Sequence, residues 1–214
     1  MIKVLLVDDH DLVRMGVSRL LADAKGIEVV AEVATGEEAI SYCKEQSVDV
    51  VLMDMNMPGI GGMEATKRII RYHPDIKIIV LTVHVEEPFP TKVMQIGASG
   101  FLTKNAGPEQ MVHAIKAVKA GQRYLTPEIA QQMALSQFNA PDESPFASLS
   151  ERELQIMMMI TRGEKVVDIS KQLNLSSKTI NSYRYRMFEK LSISNDVELT
   201  HLAIRYGMLN SESI

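Results

Sequence analysis

Asp8, Asp9, Asp54, Thr82 and Lys104 are the residues whose types could do chemistry together. Each stands where a short apolar run stops: Ile2 to Val7 before the acidic pair, Val50 to Met53 before Asp54, Ile76 to Leu81 before Thr82, Gly100 to Thr103 before Lys104. If the strands leading to Asp8 and Asp54 are neighbours, the three carboxylates meet within several ångströms. Like charges so close raise one another's pKa and destabilise the fold unless a cation relieves them. A hard divalent ion does so, and Mg2+ suits a few carboxylates, waters and a phosphoryl group sharing one octahedron. A carboxylate is also a nucleophile toward a phosphoryl donor, giving an acyl phosphate. Lys104 would then neutralise one phosphoryl oxygen while the Thr82 hydroxyl donates a hydrogen bond to another. Any one acidic residue after a strand reads equally well as a solvated turn residue; the combination at one edge does not.

A parallel sheet is what would bring these residues to one edge. Candidate strands at Ile2 to Val7, Val29 to Ala34, Val50 to Met53, Ile76 to Leu81 and Gly100 to Thr103 alternate with helical patterns near Leu12 to Ala24, Gly36 to Glu45, Gly62 to Tyr72, Pro90 to Ile96 and Pro108 to Ala120. That alternation indicates an α/β fold, a five-stranded doubly wound parallel sheet whose ligands sit beyond the carboxyl ends of the strands. Gly59-Ile60-Gly61-Gly62 reads as a turn before a helix rather than a phosphate cradle, because no Gly-Lys-Ser/Thr follows. His10 neighbours the acidic cluster and is read as a surface or supporting residue, and the methionines, Met157 to Met159 among them, as filler of helical cores.

The motifs Val7-Asp8-Asp9-His10, Met53-Asp54-Met55-Asn56-Met57-Pro58-Gly59, Leu81-Thr82 and Gly100-Phe101-Leu102-Thr103-Lys104 resemble the receiver domain of bacterial two-component response regulators over residues 1–120. The resemblance implies that Asp54 is the phosphoacceptor and that Asp9 binds Mg2+ directly, with Asp8 helping through water and the backbone carbonyl of Asn56 as a further ligand. It places Phe101 on the family's switch aromatic, expected to rotate inward from solvent as Thr82 is drawn to the phosphoryl group. Asn105 follows Lys104 where many receivers have proline, so no cis-proline turn is expected there.

Residues 121–148 read as a linker with a possible helix from Pro127 to Phe138, ending in Asn139-Ala140-Pro141-Asp142-Glu143-Ser144-Pro145. Beyond it a capping box (Ser150 with Glu153) and a hydrophobic staple (Leu149 with Leu154) start a helix. Further helical patterns run from Val166 to Leu173, Ser177 to Leu191 and Asp196 to Tyr206, so the back of the chain is an all-α four-helix domain. In the third, Ile180, Tyr183, Met187 and Leu191 form one stripe, Ser176 is the expected N-cap, and Lys178, Thr179, Asn181 and Ser182 fall in the first turns. There a recognition helix meets base edges and backbone amides favour phosphate.

Leu149-Ser150-Glu151-Arg152-Glu153, Ile169-Ser170-Lys171-Gln172-Leu173 and Ser176-Ser177-Lys178-Thr179-Ile180-Asn181 resemble the helix-turn-helix domain of the NarL/FixJ (LuxR-type) regulators, assigned to residues 149–208 with a tail at 209–214. The resemblance implies that the third helix enters the major groove and the fourth mediates dimerisation. Asn181, Ser182 and Tyr185 match groove-facing positions; Lys178, Thr179, Arg184 and Lys190 are placed for phosphate. Tyr183 stands where the family often has histidine. Over its whole length the chain is most similar to the GacA/UvrY/LetA group of global regulators. That implies a sensor histidine kinase or phosphotransfer domain as donor, double-stranded DNA at promoters of small regulatory RNAs, RNA polymerase as partner and an active homodimer.

Composition agrees. With 46% hydrophobic and 23% charged residues and no apolar run long enough to span a bilayer, the chain is an ordinary globular protein. Its start meets two carboxylates too early for a signal-peptide core, so a cytoplasmic location without membrane is expected. A single Cys43 excludes an internal disulfide and Cys-rich metal sites. The net charge of −4 is unevenly spread: residues 1–145 carry 14 Lys and Arg against 19 Asp and Glu, whereas between Lys171 and Lys190 five basic residues face one acidic. The reading is a phosphorylation-activated transcription factor that accepts a phosphoryl group, and assists its own dephosphorylation, without being an enzyme. An aspartate-nucleophile phosphohydrolase would want a second acid where Asn56 stands. A DNA-binding protein with an inert receiver-like platform would not need all five edge residues.

Overall fold

Apolar runs rich in β-branched residues become strands β1 (Ile2–Val7), β2 (Ile27–Val33), β3 (Val50–Asp54), β4 (Lys77–Thr82) and β5 (Gly100–Thr103), each within two residues of its expected ends. The computed structural model describes residues 1–82, 88–138, 144–206 and 208; the middle of the expected linker, 139–143, and the expected tail, 209–214, lie outside the described residues. All strand pairs are parallel, in the order β2-β1-β3-β4-β5-β6. The sixth strand, β6 (Tyr124–Leu125), adds to the five expected and falls in what reads as linker. Two residues carry no periodicity that could announce a strand; Gly100 opposite Tyr124 and Phe101 opposite Leu125 define it.

Helices α1 (Asp11–Ala22), α2 (Gly36–Glu45), α3 (Gly61–Tyr72), α4 (Phe89–Gln95) and α5 (Pro108–Lys119) connect the strands. Because strand side chains alternate, Val4, Leu6, Val50, Leu52, Ile79 and Leu81 pack with Val17 and Leu21 of α1 and with Met111, Ile115 and Val118 of α5. The intervening Leu5, Val7, Val51, Met53 and Ile78 pack with Ala39 and Cys43 of α2 and Ala65 and Ile69 of α3. Both faces of the central strands are therefore covered, which is why those strands read as unbroken apolar runs. β1 lies between β2 and β3, so the order reverses there, and in such sheets that is where ligands bind, beyond the carboxyl ends of the strands.

The chain divides into two compact units between Met133 and Ala134, inside α6 (Pro127–Phe138). In the second unit a 3-10 turn (Pro145–Ser148) precedes α7 (Glu151–Thr161), α8 (Val166–Gln172), α9 (Ser177–Leu191) and α10 (Asp196–Arg205). The capping box expected at Ser150 forms: Glu153 N donates to Ser150 Oγ and Ser150 N to Glu153 Oε2, with Leu149 and Leu154 both buried. Met157 to Met159 are buried in α7, as filler should be. No helix among the described residues is long and apolar enough to cross a membrane.

Candidate functional site

Register carries the acidic residues to one place. β1 pairs β3 with Val7 opposite Met53, so the residues that follow, Asp8 and Asp54, emerge side by side. Thr82 ends β4 opposite Thr103, and Lys104 N donates to the Thr82 carbonyl at 2.9 Å. The Lys104 ammonium lies 2.6 Å from Asp8 Oδ2 and 3.0 Å from Asp54 Oδ2. Asp8, Asp54 and Thr82 are buried, and Asp9 is partly exposed.

Ligand atoms of Asp8, Asp9, His10 and Asp54 lie within 4.8 Å of one another. Asp8 Oδ2, Asp9 Oδ1 and both oxygens of Asp54 have no hydrogen-bond partner of good geometry among the described residues. Such orphaned buried oxygens are uncommon and call for a role. Burial pushes the Asp54 carboxyl above its ordinary value, with Asp8 adding and Lys104 opposing. For Lys104 burial works against the charge, but Asp54 and Asp8 prevail and hold it above its ordinary value. The site is thus a largely buried set of carboxylate oxygens with the Lys104 ammonium at hand, suited to a hard cation and a phosphoryl group.

Of the residues that position the site, the sequence singles out His10 but not Arg14, Glu37 or Gly62. His10, read as a supporting residue, brings Nδ1 to 2.9 Å from Asp9 Oδ1 and 3.2 Å from Asp8 Oδ1. Arg14 of α1 donates to the Asp8 carbonyl. Glu37 of α2 accepts from Ile60 N at 3.1 Å and so braces the turn carrying Asn56. That contact bridges 23 residues, and no local pattern announces it. Gly62 lets α3 start against the strand end: a Cβ there would stand 2.0 Å from the Asp54 carbonyl oxygen. Phe101, expected to swing in from solvent, is already fully buried. Cys43 is no nucleophile, since burial pushes its thiol up to about 12.

In the second unit α8 and α9 are joined by a tight turn in which Asn174 adopts φ 51°, a left-handed conformation that asparagine tolerates better than most residues. Ser176 caps α9 by accepting from Thr179 N at 3.1 Å. Ile180, Met187, Phe188 and Leu191 are buried, while Tyr183 is half-buried with the Arg186 guanidinium 4.6 Å from its ring centre. Lys178, Ser182 and Tyr185 are exposed, Thr179 and Asn181 half-buried, so the first two turns of α9 offer a mostly polar surface.

Two of the expected phosphate contacts have other partners. Arg184 Nε and Nη2 grip Asp196 Oδ1 and Oδ2 at 3.1 and 2.5 Å. Lys190 Nζ lies 2.6 Å from the buried carboxylate of Glu153 and donates to the Ser148 carbonyl. Both carboxylates are remote in sequence from the cations they hold, so the resemblance that placed those cations for phosphate could not announce them.

Comparison with known proteins assigns both units. The response regulator receiver domain model matches residues 4–116, and the model of bacterial regulatory proteins of the luxR family matches residues 147–203. Response regulator UvrY of Escherichia coli strain K12 is 64% identical over 215 residues, 100% of this chain and 99% of that protein. Response regulator GacA of Pseudomonas aeruginosa is 58% identical over 214 residues, the full length of both. Among solved structures, RcsB from Salmonella enterica serovar Typhimurium, bound to promoter rprA in the presence of the phosphomimetic BeF3−, superposes with a TM-score of 0.70 at 26% identity, covering 94% of this chain and 98% of that one.

Proposed function

The chain belongs to the response regulators in which a receiver domain precedes a luxR-type DNA-binding domain, and from that premise we propose that Asp54 is the phosphoacceptor through which a sensor kinase relay controls its binding to DNA. The observation that carries this is the buried Asp54 carboxylate at the end of β3, both oxygens without a well-directed hydrogen bond and the Lys104 ammonium 3.0 Å away. One Asp54 oxygen attacks the phosphorus of a phosphohistidine on a histidine kinase or phosphotransfer domain. The phosphorus–nitrogen bond breaks, its electron pair stays on the imidazole, and an acyl phosphate forms. Lys104 then pairs with a phosphoryl oxygen, and the Thr82 hydroxyl donates to another.

The close-set oxygens of Asp8, Asp9 and Asp54 fit a hard cation. Asp8, Asp9, Asp54 and the Asn56 carbonyl would hold Mg2+, which supplies positive charge against the crowded carboxylates and the incoming phosphoryl oxygens. The protein itself turns over no substrate beyond accepting the group and assisting its loss.

The exposed start of α9 supports DNA as the output partner. Asn181, Ser182 and Tyr185 face base edges, while Lys178 and Thr179 meet phosphate. Likeness to an RcsB bound to promoter rprA supports promoter DNA as the target; that the promoters are those of small regulatory RNAs is what the resemblance to the GacA/UvrY/LetA group implies. A cytoplasmic homodimer that engages RNA polymerase completes the reading. Incubating the full chain with acetyl phosphate and Mg2+ is expected to label Asp54, and Asp54→Ala to abolish uptake while Asp8 and Asp9 remain. Label that persists on another residue of the variant overturns the assignment.

A further inference from the structure

Arg184 lies in the middle of α9, yet it is held from three sides. Its guanidinium forms a two-pronged pair with Asp196 at the start of α10, with Nε 3.1 Å from Oδ1 and Nη2 2.5 Å from Oδ2. It lies 5.7 Å from the centre of the Phe188 ring. Its remaining edge donates through Nη1 to Asn181 Oδ1 at 2.7 Å. A planar fork bound at both carboxylate oxygens has little freedom to turn outward.

The contact with Asn181 fixes the orientation of the amide. Arginine carries donors and no acceptor, so the Asn181 atom facing Nη1 must be the oxygen. Oδ1 thus points back along α9 to the guanidinium, and the amide NH2 is left to meet anything outside. An asparagine that reads adenine uses both ends of its amide, accepting from the N6 amino group while donating to N7. The oxygen keeps a second lone pair, but turned to the guanidinium it no longer faces a base together with the NH2, which then meets the base alone. That suits guanine O6 and N7 or thymine O4, whereas adenine loses its second bond and sets its own N6 amino donor beside N7.

We propose that Arg184, clamped by Asp196, is a positioning residue that sets Asn181 as a hydrogen-bond donor, so that the base Asn181 reads is guanine or thymine rather than adenine. The proposal rests on the reading of α9 as the base-contacting helix. It removes Arg184 from the phosphate contacts.

The test selects sequences from a random duplex DNA library with the full-length protein after acetyl phosphate treatment, comparing wild type with Asn181→Ala, Arg184→Gln and Asp196→Asn. The position whose preference collapses about tenfold in Asn181→Ala is the one that residue reads. Wild type is expected to select guanine or thymine there. Arg184→Gln and the near-isosteric Asp196→Asn should each admit adenine roughly threefold more often, and together no more than either alone, because they break one device. The salt slope of binding should not change in Arg184→Gln. Adenine selected by wild type, or unaltered profiles in both clamp variants, overturns the clamp while leaving α9 as the reader. A salt slope reduced by about one in Arg184→Gln restores Arg184 to phosphate and also overturns it. If Asn181→Ala alters no position, the base-reading role of Asn181 falls and the clamp with it.

Discussion

At Asp54 burial and charge pull in opposite directions. Removing the carboxylate from water favours its neutral form and Asp8 adds to that, while Lys104 favours the anion a nucleophile needs. The Thr82 hydroxyl sits at the same edge, one strand from Asp54, and on the proposed reading it senses the phosphoryl group rather than transferring it. Thr82→Ala should therefore leave phosphoryl uptake from acetyl phosphate nearly unchanged but cut the phosphorylation-dependent gain in DNA binding by about fivefold. Uptake assays and DNA titrations on the same preparation separate the two. Loss of labelling with an undiminished gain would make Thr82 part of the transfer step instead. Phe101 is fully buried, the inward position in which the expected rotation would end.

Among the elements, α7 is the framework of the DNA-binding unit. Its capping carboxylate, Glu153, is buried and accepts from Ser150 N and from Lys190 Nζ of α9, so one side chain closes a helix end and ties α9 to it. Burial alone would raise the Glu153 pKa, but Lys190 and Ser150 prevail and hold it below the ordinary 4.5. A depressed carboxylate contributes stability that is present above its unfolded pKa and lost as pH falls through the folded one. Glu153→Gln should then cost about 1–2 kcal/mol at pH 7, discounted for the partly exposed Lys190, and much less near pH 3. Urea titrations of both proteins at the two pH values measure this. An equal cost at both would mean that the cap, not the charge, carries the contribution.

Over the whole molecule charge opposes activation by simple attraction. Residues 1–145 hold 14 Lys and Arg against 19 Asp and Glu, and a phosphoryl group adds about −1.5 to −2 more. A gain in affinity for DNA must then come from a change in shape, one that pairs two DNA-binding units on adjoining half-sites or frees the recognition helix; pairing is the expected route. Joining two weak sites raises apparent affinity by about 10²- to 10⁴-fold without a new base contact. Phosphorylation should thus strengthen binding to a two-half-site duplex far more than to a single half-site. Val197, 63% exposed on α10, offers an apolar side chain for such pairing. Val197→Asp should erase the difference with little effect on folding. Titrations at one salt concentration, with sedimentation of the protein alone, decide it; an equal gain on both duplexes would point to release of a masked single unit.

What could be read from the chain alone is what depends on neighbours in sequence. Strand and helix ends, the caps at Ser150 and Ser176, the core methionines and the five edge residues all follow from apolar periodicity and from residue types a few positions apart. The parallel sheet then converts positions after strands into one site, because its register aligns their carboxyl ends. Contacts between distant segments could not be read in this way. Glu37 on Ile60, Gly62 against the Asp54 carbonyl, β6 beside β5, Asp196 on Arg184 and Glu153 on Lys190 each require two segments to be docked before the residues meet. Periodicity assigns a side chain to a face of its helix, but only packing decides whether that face looks at water, at DNA or at a carboxylate from another helix. For this reason Arg184 and Lys190, placed for phosphate by resemblance, are clasped to carboxylates in the fold.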